Sequence, residues 1–306
     1  MKVNVCVIQD HPVFLNKKAT LERIEGLVAA HATSDLIVFP ESFIPGYPRG
    51  FSFGATVGNR TDEGRRLYAS YFQESIDLQS EDRLILEKIA AAHGVYLVLG
   101  VTEKAGLTGS LYCSMVYLTP HQGLLAVHRK IKPTGTERVI WAEAGGESLV
   151  VVQTRIGRLG GLICWENYMP LARMAMFKQG VEIYIAPTAD ARDSWVTTMQ
   201  HIALEGRCFV LACNQFIKRE HYPEEYRALL SDGPEILSRG GSLIVSPMGQ
   251  VIAGPLFDQA GALTATLDLE DVVGSKLDFD VVGHYARDDI FDLHIRDLPG
   301  LIVEDD

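Results

Sequence analysis

The chain has no apolar run near the ~20 residues that a membrane-crossing helix needs. Positive charge is also in deficit: 28 Lys and Arg stand against 39 Asp and Glu, a formal net charge of −11. No basic stripe is present, and nucleic-acid binding requires clustered cations to neutralise phosphates. Cysteine is sparse. Cys6, Cys113, Cys164, Cys208 and Cys213 are widely spaced with no CxxC pair, which argues against a disulfide framework and a zinc ribbon. The nine histidines form no HExxH and no close Cys/His set, so no metal site is indicated. GxGxxG, P-loop and GxSxG motifs are missing as well. At the N-terminus, Asp10 and His11 follow a short apolar run directly, which does not fit an export signal. The expectation is a cytoplasmic protein with reduced thiols.

What is present is a series of strand-length apolar runs alternating with amphipathic stretches. Residues 3–8, 35–40, 96–101, 149–153, 159–164, 182–186 and 209–214 read as strands. Residues 16–30, 81–92, 171–178 and 195–206 read as helices, with Leu21, Ile24, Leu27 and Val28 at helical spacing in the first. Residues 111–118 and 124–128 flank a Pro- and Gly-containing turn and predict a hairpin. Strands at 242–245 and 263–267 are expected to be joined by turns at Gly249 and Gly254. The polar stretch 218–240 reads as a surface excursion. Three buried strands, at 36–41, 183–188 and 243–247, carry a proline that is expected to stop each ladder. The pattern predicts one α/β domain over residues 1–306 with a short C-terminal tail from about 288, built as an α/β sandwich.

In open α/β sheets, ligands bind beyond the carboxyl ends of strands. Glu41, Cys164 and the run His128-Arg129-Lys130 follow buried strands. A carboxylate, a thiol and an amine at strand ends are the groups that base-assisted thiol attack and charge stabilisation require. Cys164 sits at a strand-to-helix turn with Pro170 near the first helical position, where helix N–H groups would stabilise a thiolate. The other four cysteines lie inside apolar runs, the ordinary setting of an inert buried thiol. Taken alone, Glu41 could equally cap a strand end in solvent. Lys130 could belong to a solvated basic cluster, and Glu137 could pair with Arg138. His201 and Glu205, four residues apart on a helix, suggest packing support rather than catalysis.

Three motifs in order then give a specific resemblance over nearly the whole chain, to about Arg287. They are Phe39-Pro-Glu-Ser-Phe-Ile-Pro-Gly-Tyr-Pro48, His128-Arg-Lys-Ile-Lys-Pro-Thr134 with Glu137-Arg138, and the run from Gly160 through Cys164-Trp-Glu-Asn167 to Arg173. The chain resembles the nitrilases of the carbon–nitrogen hydrolase superfamily, and Cys-Trp-Glu points to that branch rather than to amidases or carbamoylases. The resemblance implies an αββα sandwich that pairs across a dimer into four layers, with no metal or organic cofactor. It implies Cys164 as nucleophile, Glu41 as general base, Lys130 as cationic stabiliser and Glu137 as an assisting carboxylate. Tyr47, Trp165, Thr188 and Ala189 are expected to line a pocket for a small nitrile; the aromatics are compatible with an aryl or arylaliphatic one, and simple aliphatic nitriles or cyanide stay open. The partners implied are that nitrile, water and further copies of the chain, with no nucleic acid or membrane. Two departures bear on loop shape and substrate range. Trp141-Ala-Glu-Ala-Gly-Gly-Glu147 replaces a glycine-rich loop, and Asp288 stands where proline is common. An amidase using the same residues, and an inactive scaffold that keeps the fold, are the rival readings.

Overall fold

Strands that are apolar on both faces must be covered on both, and here two sheets cover each other while helices cover the outsides. The computed structural model describes residues 1–230 and 233–305. The first sheet has the strand order Gly261–Asp268, Lys2–Gln9, Leu36–Val38, Tyr96–Lys104, Leu111–Thr119, Gly123–Arg129. The second runs Phe216–Lys218, Ile236–Val245, Phe209–Asn214, Ile183–Thr188, Gly157–Gly161, Val151–Thr154, Ile302–Val303, and Val251–Phe257 pairs with Ile236–Val245. The central strands of each sheet are parallel. A parallel pair needs a long crossover, and the helices Lys17–Ala30, Glu81–His93, Pro170–Lys178 and Ser194–Gly206 lie on these crossovers.

Between the sheets, Val5, Val7, Val38, Val98 and Met115 join Ile163, Ile183, Ile185 and Leu211 in one apolar cluster. On one outer face Leu21, Ile24, Val28, Leu86 and Ile89 pack on Ile8, Ile37, Phe39 and Leu97. On the other, Ala175, Met176, Trp195, Met199 and Ile202 pack on Leu162, Tyr184 and Val210. The layers are therefore helix, sheet, sheet, helix, the αββα sandwich expected from the sequence. Side-chain caps begin the first two of these helices: Asn16 accepts from the Ala19 N–H and Ser80 from the Asp82 N–H. The far end of the chain is tied down. Ile302 pairs with Val152, and Glu304 accepts from the Tyr96 hydroxyl at 2.8 Å.

Some expectations change. Gly254 is not a turn but lies inside Val251–Phe257, at φ +82°. The pairing with Ile236–Val245 shifts register there, so the glycine makes a bulge. Pro187 does not end its strand, because Ile183–Thr188 continues past it in register with Phe209–Asn214. The neighbour on its other side has already stopped opposite Ile185, so the missing N–H interrupts no ladder there. The helix Asp62–Glu74 is an addition to the expected set; it fully buries Gly64 and Tyr71 and packs Leu67, Tyr68 and Phe72 on the core from the same face. Within the expected excursion, Ile236–Val245 begins its strand early and Glu224–Arg227 is a short helix; residues 231–232 lie outside the described part. Among the described residues no helix is long and apolar enough to cross a membrane.

One buried ion pair fixes the end of the first strand. Asp10 accepts from Arg23 Nη2 at 2.7 Å and from the His11 N–H at 2.8 Å. Burial would raise the Asp10 carboxyl, but the His11 and Arg23 hydrogen bonds and the guanidinium charge hold it down at about 2. Its folded value is depressed, so its contribution is fully present above the ordinary carboxylate range and is lost as pH falls toward that value. Asp10→Asn should therefore cost about 2 kcal/mol at neutral pH, with the deficit shrinking below about pH 4. Urea unfolding of both proteins across that range checks it; a deficit independent of pH would contradict it.

Candidate active site

Glu41 leaves the first sheet immediately beyond Leu36–Val38 and Pro40, and it is fully buried. Its backbone is held close. Gln215 Nε2 donates to its carbonyl at 2.5 Å, and Gly100 passes beneath it. A Cβ on Gly100 would lie 2.1 Å from the Pro40 carbonyl oxygen and 2.7 Å from Glu41 Cα. Gly100→Ala should thus displace Glu41, costing about 1–3 kcal/mol of stability and roughly tenfold or more in kcat/KM. Thermal melting and initial rates on one preparation check this. The following Ser42, at φ +45°, is pinned by Thr102 Oγ1 at 2.8 Å and Tyr71 OH at 3.2 Å.

Lys130 follows the edge strand Gly123–Arg129, and its ammonium is fully buried. Nζ donates to Glu41 Oε1 and to Glu137 Oε2, both at 2.8 Å. It is therefore not part of a solvated cluster. Its neighbours Arg129 and Lys132 pair outward with Glu103 and Glu143 instead. Glu137 does not pair with Arg138, whose Nε donates to the Pro133 carbonyl. Glu137 accepts from the Thr134 N–H at 2.6 Å and from the Tyr47 hydroxyl at 2.8 Å. Trp141, the first residue of the altered loop, is buried with its ring centroid 5.8 Å from Lys130 Nζ.

Cys164 comes from the other sheet. The chain leaves Gly157–Gly161 and opens a 3₁₀ turn, Cys164–Tyr168, before the helix that starts at Pro170. The nucleophile candidate has φ +53°, a left-handed backbone that costs a non-glycine residue about 1–2 kcal/mol. Asn167 Nδ2 holds that turn by donating to the Leu162 and Cys164 carbonyls, each at 2.8 Å. Thr188 Oγ1 donates to Cys164 Sγ at 3.2 Å. Thr188 is fully buried, so it touches the sulfur from within rather than forming open pocket wall.

The electrostatics of the site are set mainly by burial. Burial, followed by the Glu41 carboxylate, pushes the Cys164 thiol up to about 12, against the opposing Lys130 charge. Burial thus favours the protonated sulfur and works against any stabilisation of a thiolate by the helix end. Burial also raises the Glu41 carboxyl above its ordinary value, and Glu137 adds to this while Lys130 opposes it. Lys130 is held charged: burial would lower it, but Glu41 and its other neighbours raise it well above the usual amine range.

Several contacts were not expected from sequence. Cys113, one of the apparently inert thiols, has Sγ 3.5 Å from Glu41 Oε1. His128 and Glu166 are both buried and bond at 2.9 Å, and His128 Nδ1 lies 2.6 Å from the Ser148 carbonyl. Glu166 also accepts from the Ile131 N–H at 2.7 Å and the Ile163 N–H at 2.9 Å. This carboxylate therefore binds the residue after Lys130 to the residue before Cys164. Glu205 pairs with Arg173 at 2.7 Å, and Arg173 Nη1 donates to the Asn167 carbonyl, so the helix pair supports the nucleophile turn from behind.

Cys164, Glu137, Tyr47, Trp165 and Ala189 line a cavity of about 610 Å³ with Arg49, Asp190, Arg192 and Arg239 among its other walls. Trp165 is half exposed, and its indole N–H donates to Asp190 Oδ2 at 2.9 Å. Among the described residues no His/Cys/Asp/Glu group is arranged to hold a metal ion.

The sequence matches the carbon–nitrogen hydrolase family over residues 4–276. It is 46% identical over 301 residues to an aliphatic nitrilase of Sinorhizobium fredii, covering 97% of each chain. It is 44% identical to a bifunctional nitrilase/nitrile hydratase of Lupinus angustifolius, covering 97% of this chain and 87% of that one. A solved carbon–nitrogen hydrolase from Helicobacter pylori superposes with a TM-score of 0.72 at 21% identity, over 91% of this chain and 94% of that one. At that identity the structural likeness speaks for the fold. With the sequence similarity nearly end to end, the chain belongs to the carbon–nitrogen hydrolase family, among its nitrilases.

Proposed function

We propose that the protein hydrolyses an organic nitrile to the carboxylic acid and ammonia, with Cys164 as nucleophile. The observation that carries this is a buried thiol opening onto a cavity beside a carboxylate–ammonium–carboxylate row, Glu41–Lys130–Glu137. Glu41 takes the Cys164 proton as sulfur adds to the nitrile carbon, and the nitrogen gains that proton to give a thioimidate. Lys130 and the Trp165 N–H, at the start of the 3₁₀ turn, stabilise the negative charge that develops on nitrogen. A water deprotonated by Glu41 or Glu137 adds next, ammonia departs, and a thioester remains. A second water releases the acid and restores the thiol.

The intermediate formed by the first water can expel nitrogen, leading to acid, or sulfur, leading to amide. Burial that raises the thiol to about 12 makes the thiolate a poor leaving group and favours loss of ammonia. Acid should dominate amide in the products, which chromatography of a complete turnover would reveal. An amide-only product would support a hydratase instead. A further expected result concerns pH. Because Glu41 must be ionised to act and its carboxyl is raised, kcat/KM should fall on the acid side above pH 4.5, the ordinary glutamate value. A rate profile flat down to that pH would remove Glu41 as the base. The same proposal takes residues 1–306 as one hydrolase domain with a short tail from about 288, acting in the cytoplasm. It pairs the sandwich with a second copy into an αββα–αββα homodimer or larger homo-oligomer.

A further inference from the structure

Three arginines stand in the wall of the Cys164 cavity, and two of them are neutralised. Arg192 Nε donates to Asp190 Oδ1 at 2.8 Å. Arg239 pairs with Asp258 at 3.0 Å and with Asp193 at 3.3 Å. Arg49 differs: among the described residues no carboxylate lies within ion-pair distance of it. Among the described residues its side chain makes one hydrogen bond, donated by Nη2 to the Ala189 carbonyl, and its buried Nε has no acceptor. The Tyr47 ring lies 5.6 Å from its guanidinium carbon. A neutral carbonyl does not answer a guanidinium, which prefers a bidentate anion. The position is also near the chemistry. Ala189 follows Thr188, whose hydroxyl contacts the Cys164 sulfur.

We propose that Arg49 is a substrate-anion subsite, and that the nitriles taken by this cavity carry a carboxylate a few carbons from the nitrile carbon. This rests on the nitrilase function proposed above and names the substrate class for it. Arg49 and Cys164 line the same cavity and contact the adjacent Ala189 and Thr188, so a nitrile bound at Cys164 would reach the guanidinium through a short chain that ends in a carboxylate. The cavity's other fixed charges are already paired, so the anion gains a partner without breaking an existing ion pair. A hydrogen bond to a charged group in a half-buried wall discriminates against an analogue that lacks the acceptor.

The test uses the full chain and two probes of matched shape, 3-cyanopropanoate and 4-methylpentanenitrile, in which an isopropyl group replaces the carboxylate. Ammonia release gives kcat/KM for each. Wild type should favour the acid by roughly tenfold or more. Arg49→Gln should bring that ratio close to one, chiefly by raising KM for the acid, and Arg49→Lys should keep part of the preference. Raised salt should narrow the wild-type ratio, as expected for a charged contact near solvent. A wild-type ratio near one overturns the subsite while leaving nitrile hydrolysis standing. So does an equal loss on both probes in Arg49→Gln, which would mean that Arg49 only fastens its loop to Ala189. Wild type that releases ammonia from neither probe nor any other nitrile overturns the nitrilase function itself.

Discussion

Cys164→Ala is expected to abolish ammonia release from nitriles while leaving the protein folded. Removing the sulfur that the proposed mechanism joins to the nitrile carbon takes away the covalent route, and the loss should reach about 10⁴-fold or more. The structural cost is small by comparison. The side chain loses one sulfur and its contact with Thr188, in a turn whose backbone is held independently by Asn167. A melting temperature within a few degrees of wild type, together with loss of a thioimidate or thioester mass adduct, would support the assignment. Residual ammonia release at a tenth of the wild-type rate would remove Cys164 from the mechanism.

Lys130→Met is expected to damage both folding and chemistry. The ammonium lies between Glu41 and Glu137, and all three groups are largely or wholly buried. Without it, two carboxylates face each other in a water-poor site. Breaking a buried charge pair in this way costs about 3–5 kcal/mol, on the order of 10 °C in melting temperature for a chain of this size. The sign of the pH dependence distinguishes this from simple loss of packing. Lys130 holds the Glu41 carboxyl down, so its loss raises that carboxyl further. A folded value above the unfolded one destabilises increasingly as pH rises through the gap between them, so the variant should recover relative to wild type on acidification. A deficit constant from pH 5 to 8, or activity within threefold of wild type, would contradict the assigned role.

The sequence made the sandwich legible because most of its strands are long apolar runs and most of its helices carry an apolar stripe. Asp62–Glu74 does carry a stripe at helical spacing, Leu67, Tyr68, Tyr71 and Phe72, but it is short, mostly aromatic and set among charged and polar residues, which makes it a weaker signal than an aliphatic face. Glu41, Lys130 and Cys164 could be singled out by their place after buried strands, and the motif resemblance supplied roles for them. Their supporting contacts could not be read the same way. The pairing of His128 with Glu166 spans 38 residues, and the approach of Cys113 to Glu41 spans 72. No local spacing rule reaches that far. The environment of the thiol was only half legible for a related reason: a helix end is visible in sequence, whereas the depth at which it is buried is set by both sheets together.

That dependence on both sheets has a wider consequence. Glu41 and Lys130 ride on one sheet and Cys164 on the other, with Glu166 bonded to backbone on both sides of the seam. No single half of the sandwich can assemble the reaction centre. In mild denaturant, catalysis should disappear as soon as the two layers slip, while helical circular dichroism still reports nearly native content. Turnover would then serve as a gauge of sandwich closure, more sensitive to the fit between the layers than to the integrity of either one.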